Sequence, residues 1–92
     1  LLPPQRKTLS YSVYILECSD GTLYTGIAKD VTKRLDEHNS SDKGAKYTKN
    51  RRPVKLLYSE ASEDRSSASK REYAIKKLSR SEKLDLIGTK EP

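Results

Sequence analysis

Residues 11–18, Tyr-Ser-Val-Tyr-Ile-Leu-Glu-Cys, place the tightest constraint on what this chain can become. β-Branched and aromatic side chains dominate the run, which favours an extended strand. Successive side chains of a strand point to opposite faces, and here both faces are largely apolar: Val13 and Ile15 on one, Tyr14, Leu16 and Cys18 on the other. A strand of that kind belongs in the middle of a sheet with layers on both sides. Ser19-Asp20-Gly21 reads as a turn, and Leu23 to Ile27 as the second strand of a hairpin.

The hairpin puts Tyr14 and Tyr24 in question, because its register decides whether they share a face. A two-residue loop, Asp20-Gly21, pairs Cys18 with Leu23 and sends Tyr24 to the face opposite Tyr14. A three-residue loop, Ser19-Asp20-Gly21, with a left-handed Gly21, pairs Tyr14 with Gly26 and puts both tyrosines on one face with open space over the glycine. A slip of one residue reverses every side chain. Asp-Gly suits either loop, so both registers stay open.

The remaining elements follow in order. Asp30 is a helix N-cap for Val31–His38, with Val31 and Leu35 inward. Asn39-Ser40-Ser41 closes that helix, and a basic loop follows to Pro53. Val54–Ser59 is a third strand, and Glu60–Arg65 reads as a polar loop. Ser66 or Ser67 opens a helix to about Leu78. Ser79-Arg80-Ser81-Glu82 is a capping box for a last helix running to about Ile87, with Gly88 as its stop. The expectation is an α+β (α/β) domain of order β-β-α-β-α-α, a small three-stranded sheet flanked by helices. It spans 11–88, between an unstructured leader at 1–10 and a tail at 89–92.

Composition narrows the function. The 92 residues carry a net charge of +6, and the segment 29–58 holds +5 of it. Between Lys43 and Lys55 stand six basic residues and no acidic one, an electrostatic footprint suited to phosphate or to a solvated loop. The single Cys18 excludes an internal disulfide and a thiolate zinc cluster, and is in keeping with a reducing, cytoplasmic setting. No apolar run is long enough to span a bilayer, so no membrane role is expected.

Other residues have chemistry to offer. Arg34 and His38 are four apart and share a helix face; alone, they also suit a half-exposed last turn. Glu72 lies roughly 40° from Ala68 and 60° from Ile75 on a helical wheel, at the edge of an apolar stripe. A carboxylate there calls for a cation or for Lys76 one turn on.

Taken together, the spacings resemble the GIY-YIG nuclease family, and its small stand-alone bacterial branch in particular. The first motif reads Ser12-Val13-Tyr14 and the second Tyr24-Thr25-Gly26. Lys33-Arg34-Leu35, His38-Asn39, Gly44-Ala45-Lys46-Tyr47-Thr48, Arg52-Pro53 and Lys70-Arg71-Glu72 continue it over roughly Tyr11 to Ile87. Ser12 and Thr25 replace the motif's Gly and second Ile, and Ile27 stands where some relatives have Lys. The resemblance implies a phosphodiesterase that uses one Mg²⁺ or Mn²⁺. Tyr14 and Tyr24 would orient or deprotonate water, and Arg34 would stabilise charge on the phosphate. His38 would assist, and Glu72 would hold the metal on the face bearing the tyrosines. Lys43, Lys46, Lys49, Arg51 and Arg52 would track a DNA backbone, with Tyr47 stacking on an unpaired base. Single-stranded or branched DNA in repair or recombination is the expected substrate. The alternatives are a non-catalytic nucleic-acid-binding module, aided by a protein partner, and an RNA-directed enzyme.

Overall fold

In the computed structural model, β1 (Tyr11–Glu17) runs between β2 (Leu23–Ala28) and β3 (Lys55–Ser62), antiparallel to both. Its central place follows from its two apolar faces. The structure describes residues 10–40 and 46–89, and the side chains of Lys46 and Thr89 are outside that description. The expected leader, apart from Ser10, and the expected tail beyond Thr89 lie outside the described residues, as do Lys43 and Gly44. The helices are α1 (Val31–Ser40), α2 (Lys46–Lys49), α3 (Arg65–Lys76) and α4 (Arg80–Thr89).

The two faces of β1 found two cores. Val13 and Ile15 pack with Tyr58, and Ala68 and Ile75 of α3 cover them, flanked by Leu86 and Ile87 of α4. Tyr14, Leu16 and Cys18 pack with Val54, and Val31 and Leu35 of α1 cover them. Helices α1 and α3 therefore lie on opposite faces of the sheet.

The hairpin takes the three-residue loop. Tyr14 pairs with Gly26 and Leu16 with Tyr24. Gly21 adopts φ +84°, its N–H donates to the Cys18 carbonyl at 2.9 Å, and the Cys18 N–H donates to Thr22 O at 2.8 Å. A type I turn ending in a left-handed residue needs glycine at that point, and the chain supplies it. Asp20 Oδ1 accepts from Thr22 N at 3.1 Å, and Asp20 Oδ2 accepts from Arg51 Nε at 2.9 Å, so the turn is held from a distant segment.

Several boundaries differ from expectation. β3 runs to Ser62, beyond the expected Ser59, because Tyr11–Val13 offer ladder partners and an edge strand tolerates polar residues. α3 starts from Asp64, whose Oδ1 accepts from Ser67 N at 2.8 Å; the carboxylate takes the cap expected of Ser66 or Ser67. The Ser79–Glu82 capping box forms reciprocally, at 2.8 and 3.1 Å, but α4 continues through Gly88 to Thr89. The basic loop contains a helical turn, α2. Arg51 closes it, donating its N–H to Thr48 O at 2.9 Å and its Nη1 to Tyr47 O at 2.8 Å. A cation at the last carbonyls of a turn is favoured by their partial negative charge.

Candidate active site

The sheet face beneath α1 gathers the polar groups. Asp30 starts α1, its Oδ1 accepting from Lys33 N at 3.0 Å. Arg34 and His38 then fall one above the other on the side facing the sheet. Asn39 pins the end of α1 to the start of β3. Its Oδ1 accepts from Val54 N at 2.7 Å, and its Nδ2 donates to Val54 O at 3.0 Å. Arg52 Nε donates to the His38 carbonyl. These ties press the last turn of α1 inward, and His38 is 0% exposed, not the half-exposed last-turn residue that its place in the sequence allowed.

His38 connects two hydroxyls. Its Nε2 is 2.9 Å from Tyr14 Oη, and its Nδ1 is 2.8 Å from Thr48 Oγ1. Tyr14 is 2% exposed and Thr48 0%. The Tyr24 ring packs beside both, 6.5 Å from the Tyr14 ring and 5.3 Å from the His38 ring, centroid to centroid. Tyr47 stacks on Tyr24 at 5.8 Å, and the Arg51 guanidinium lies 4.1 Å from the Tyr47 ring centroid.

Burial sets the protonation states. It pushes the Tyr14 hydroxyl up to about 12, against a hydrogen bond from Arg34 that acts to lower it. Burial also pushes His38 down to about 4, and the Arg34 charge adds to that shift. Both side chains are therefore neutral at pH 7. His38 has a folded value below its ordinary 6.5, so the unfolded chain binds this proton first as pH falls. The stability that this contributes is complete above pH 6.5 and is lost as pH drops toward 4; in size it is roughly 3 kcal/mol. Urea unfolding at pH 7 and at pH 4.5 should show this loss, and His38→Gln should flatten it. An unchanged slope in the variant would assign the pH dependence to other groups.

The other expected site residues divide. Arg34 is at the site: its Nη1 is 3.0 Å from Glu37 Oε1, and its charge acts on the Tyr14 hydroxyl. Glu72 belongs to α3, whose Ala68 and Ile75 pack on the opposite face of the sheet; α3 also lies against the edge strand β2. Ala68 and Ile75 face the Val13–Ile15 core and so carry α3 to that side. The Glu72 charge still acts on Tyr14, raising its pKa, and Glu72 Oε2 stands 3.4 Å from Lys76 Nζ. Among the described residues no three His, Cys, Asp or Glu side chains converge as a metal cluster. The donor set at Glu72 is one accessible carboxylate. That fits a hard cation that takes its other ligands from water and phosphate oxygens. Lys49 is exposed, Arg51 and Arg52 make the internal bonds described above, and Tyr47 is 40% exposed.

Sequence reasoning assigned no site role to Thr48, and read Asn39 only as part of the helix stop and of the His38-Asn39 segment. Neither lies on a periodic apolar stripe, and α2 is too short to have one. The only signal at Thr48 was its place in the Gly44–Thr48 segment.

Comparison with known proteins points to one family. The GIY-YIG catalytic domain family matches residues 10–85. A UPF0213 protein of Desulfotalea psychrophila is 54% identical over 96% of this chain and 80% of its own length. Another, from Syntrophus aciditrophicus, is 63% identical over 82% of this chain and 86% of its own. Among solved structures, the solution structure of a UPF0213 protein from Bacillus halodurans is similar with a TM-score of 0.56. It is 45% identical and covers 87% of this chain and 84% of that one. A protein of E. faecalis is similar with a TM-score of 0.60, at 38% identity over 96% and 94% of the two chains. No helix among the described residues is long and apolar enough to cross a membrane. With both tyrosines, Arg34 and His38 on one sheet face, and with these relatives, the chain belongs to the GIY-YIG catalytic domain family of nucleases, in its small stand-alone UPF0213 branch.

Proposed function

We propose that this protein is a divalent-metal-dependent endonuclease that hydrolyses DNA phosphodiester bonds in single-stranded or branched DNA, in a cytoplasmic repair or recombination setting. The observation that carries this reading is the 2.9 Å contact between Tyr14 Oη and His38 Nε2 beside the Arg34 guanidinium. A hydroxyl paired with a neutral imidazole is the arrangement in which a proton can be passed on. Tyr14 takes the proton of the attacking water as its own proton moves to His38. A free phenolate is too costly in this buried site, so the two transfers are concerted. Arg34 stabilises the phosphate as charge builds on it. Tyr24 orders the water from the same face. Glu72 would hold one Mg²⁺ or Mn²⁺, which when bound supplies Lewis-acid stabilisation of charge on the phosphate and leaving oxygen. Lys43, Lys46, Lys49, Arg51 and Arg52 contribute positive potential along the strand, and Tyr47 offers an aromatic edge to an unpaired base.

The raised pKa of Tyr14 also favours a second reading, a nucleic-acid-binding module without catalysis. Incubating the protein with single-stranded, duplex and branched DNA, with and without Mn²⁺, separates the two. Glu72→Ala is expected to abolish metal-dependent cleavage while binding persists. Cleavage by Glu72→Ala indistinguishable from wild type would assign the activity to a contaminant and leave the binding reading.

A further inference from the structure

We propose that Thr48 is a positioning residue: its Oγ1 accepts the Nδ1 proton of His38 and so holds the tautomer whose Nε2 lone pair faces the Tyr14 hydroxyl. The inference rests on the reading of Tyr14 and His38 as a proton-transfer pair.

A neutral imidazole carries one N–H and one lone pair, and the group bound at one nitrogen decides which the other presents. The two nitrogens of His38 are engaged at 2.9 Å by Tyr14 Oη and at 2.8 Å by Thr48 Oγ1. The direction of these bonds follows from the Tyr14 hydroxyl. It is buried, and His38 Nε2 is the hydrogen-bond partner that the structure gives it, so its O–H, which would otherwise be buried without an acceptor, is directed to Nε2; the nearby Arg34 guanidinium only donates and offers no alternative acceptor. Nε2 then bears the lone pair, Nδ1 bears the proton, and that proton goes to Thr48 Oγ1. A threonine hydroxyl has two acceptor sites, so it can take this bond and still use its own proton elsewhere. The burial that keeps His38 neutral makes the choice of tautomer matter, since the doubly protonated ring is not populated at pH 7.

During the reaction the Tyr14 O–H bond breaks and Nε2–H forms. At the same moment the water O–H breaks and a new Tyr14 O–H forms. The ring ends as an imidazolium donating to Thr48 from Nδ1 and to Tyr14 from Nε2. With the other tautomer, Nε2 already holds a proton and the transfer has no acceptor. Thr48 thus orients the acceptor without touching substrate, as the third member of a nucleophile–base–orienter set does.

The α2 turn is built to hold this hydroxyl still. Arg51 closes the turn on Thr48 O and Tyr47 O and anchors it to Asp20 of the hairpin. The Ser19 N–H donates to Arg51 O at 2.8 Å, so the segment is tied to the sheet that carries Tyr14.

His38 is the only histidine in the chain, so long-range ¹H–¹⁵N correlation reads its tautomer without ambiguity. Wild type is expected to show a protonated Nδ1 and an unprotonated Nε2. Thr48→Ser should keep that pattern, and Thr48→Val should lose it. Thr48→Val should also lower kcat by about 10- to 100-fold with KM unchanged, and Thr48→Ser should restore most of the loss. A wild-type spectrum with Nε2 protonated overturns the proposal, as does an unchanged tautomer in Thr48→Val. Should Thr48→Val fail to fold, the wild-type and Thr48→Ser spectra still decide. Absence of cleavage by wild type would sink the nuclease reading, whereas the tautomer is read independently of activity.

Discussion

Tyr14→Phe is expected to reduce the cleavage rate by about 10²- to 10⁴-fold, the range that a positioned acid–base group contributes. The fold should survive. The ring remains packed against Leu16, Cys18 and Val54, and only the hydroxyl is removed. The variant loses one buried hydrogen bond to His38, which costs on the order of 1–3 kcal/mol. Binding of DNA should be unaffected, because Arg34 and the basic segment stay in place. Single-turnover cleavage and equilibrium binding, measured on the same preparation, check both halves. A variant that cleaves at the wild-type rate removes Tyr14 from the chemistry; one that neither binds nor folds shows that the hydroxyl is mainly structural.

Gly26→Ala should damage stability and activity together. A Cβ at that position would meet Tyr14 Oη at 2.6 Å, Tyr14 Cζ at 2.8 Å and Tyr24 Cε2 at 3.2 Å. Neither partner can give way cheaply. Tyr14 is 2% exposed and bonded to His38, and β2 is fixed to β1 by the ladder. Overpacking of this kind costs typically 1–3 kcal/mol. Displacing the hydroxyl from His38 by even an ångström should cost about 10²-fold in rate. Gly88→Ala is the control. Nothing lies within 4 Å of its added Cβ, and in the helix α4 the change should be neutral or stabilising by up to about 1 kcal/mol. Urea denaturation of both variants gives the contrast. A Gly26→Ala protein as stable and active as wild type would mean that the tyrosine does not lean over the glycine in solution.

The two variants probe parts of the molecule that were unequally readable in the chain. The pairing of Tyr14 with Gly26 was one of two registers open to an Asp-Gly turn. The choice fell to Gly21 at φ +84° and to Arg51, which reaches 31 positions along the chain to hold Asp20. Helical spacing and the Asp30 cap put Arg34 and His38 on one helix face, but left both open to a half-exposed last turn. The burial of His38 was not legible, because its neighbours Asn39 and Ser40 are polar and it stands in a final turn. Its burial comes from Asn39 binding Val54, Arg52 binding the His38 carbonyl, and Thr48 closing over the ring. Glu72 was expected on the tyrosine face; Ala68 and Ile75 carry the body of α3 to the other, and the Glu72 charge nonetheless reaches Tyr14. The wheel angle correctly put it at the edge of the apolar stripe, but a wheel has no information about which sheet face the helix will cover.

Local signals therefore determined the existence of the three strands and of α1, α3 and α4, the central strand and the fold class, because periodicity, caps and turn residues act within a few positions of one another. Register, burial and the joining of Tyr14, His38 and Thr48 were decided only in the folded chain. Each depends on hydrogen bonds and close contacts between segments distant in sequence, and no local pattern records which of several compatible partners will be met.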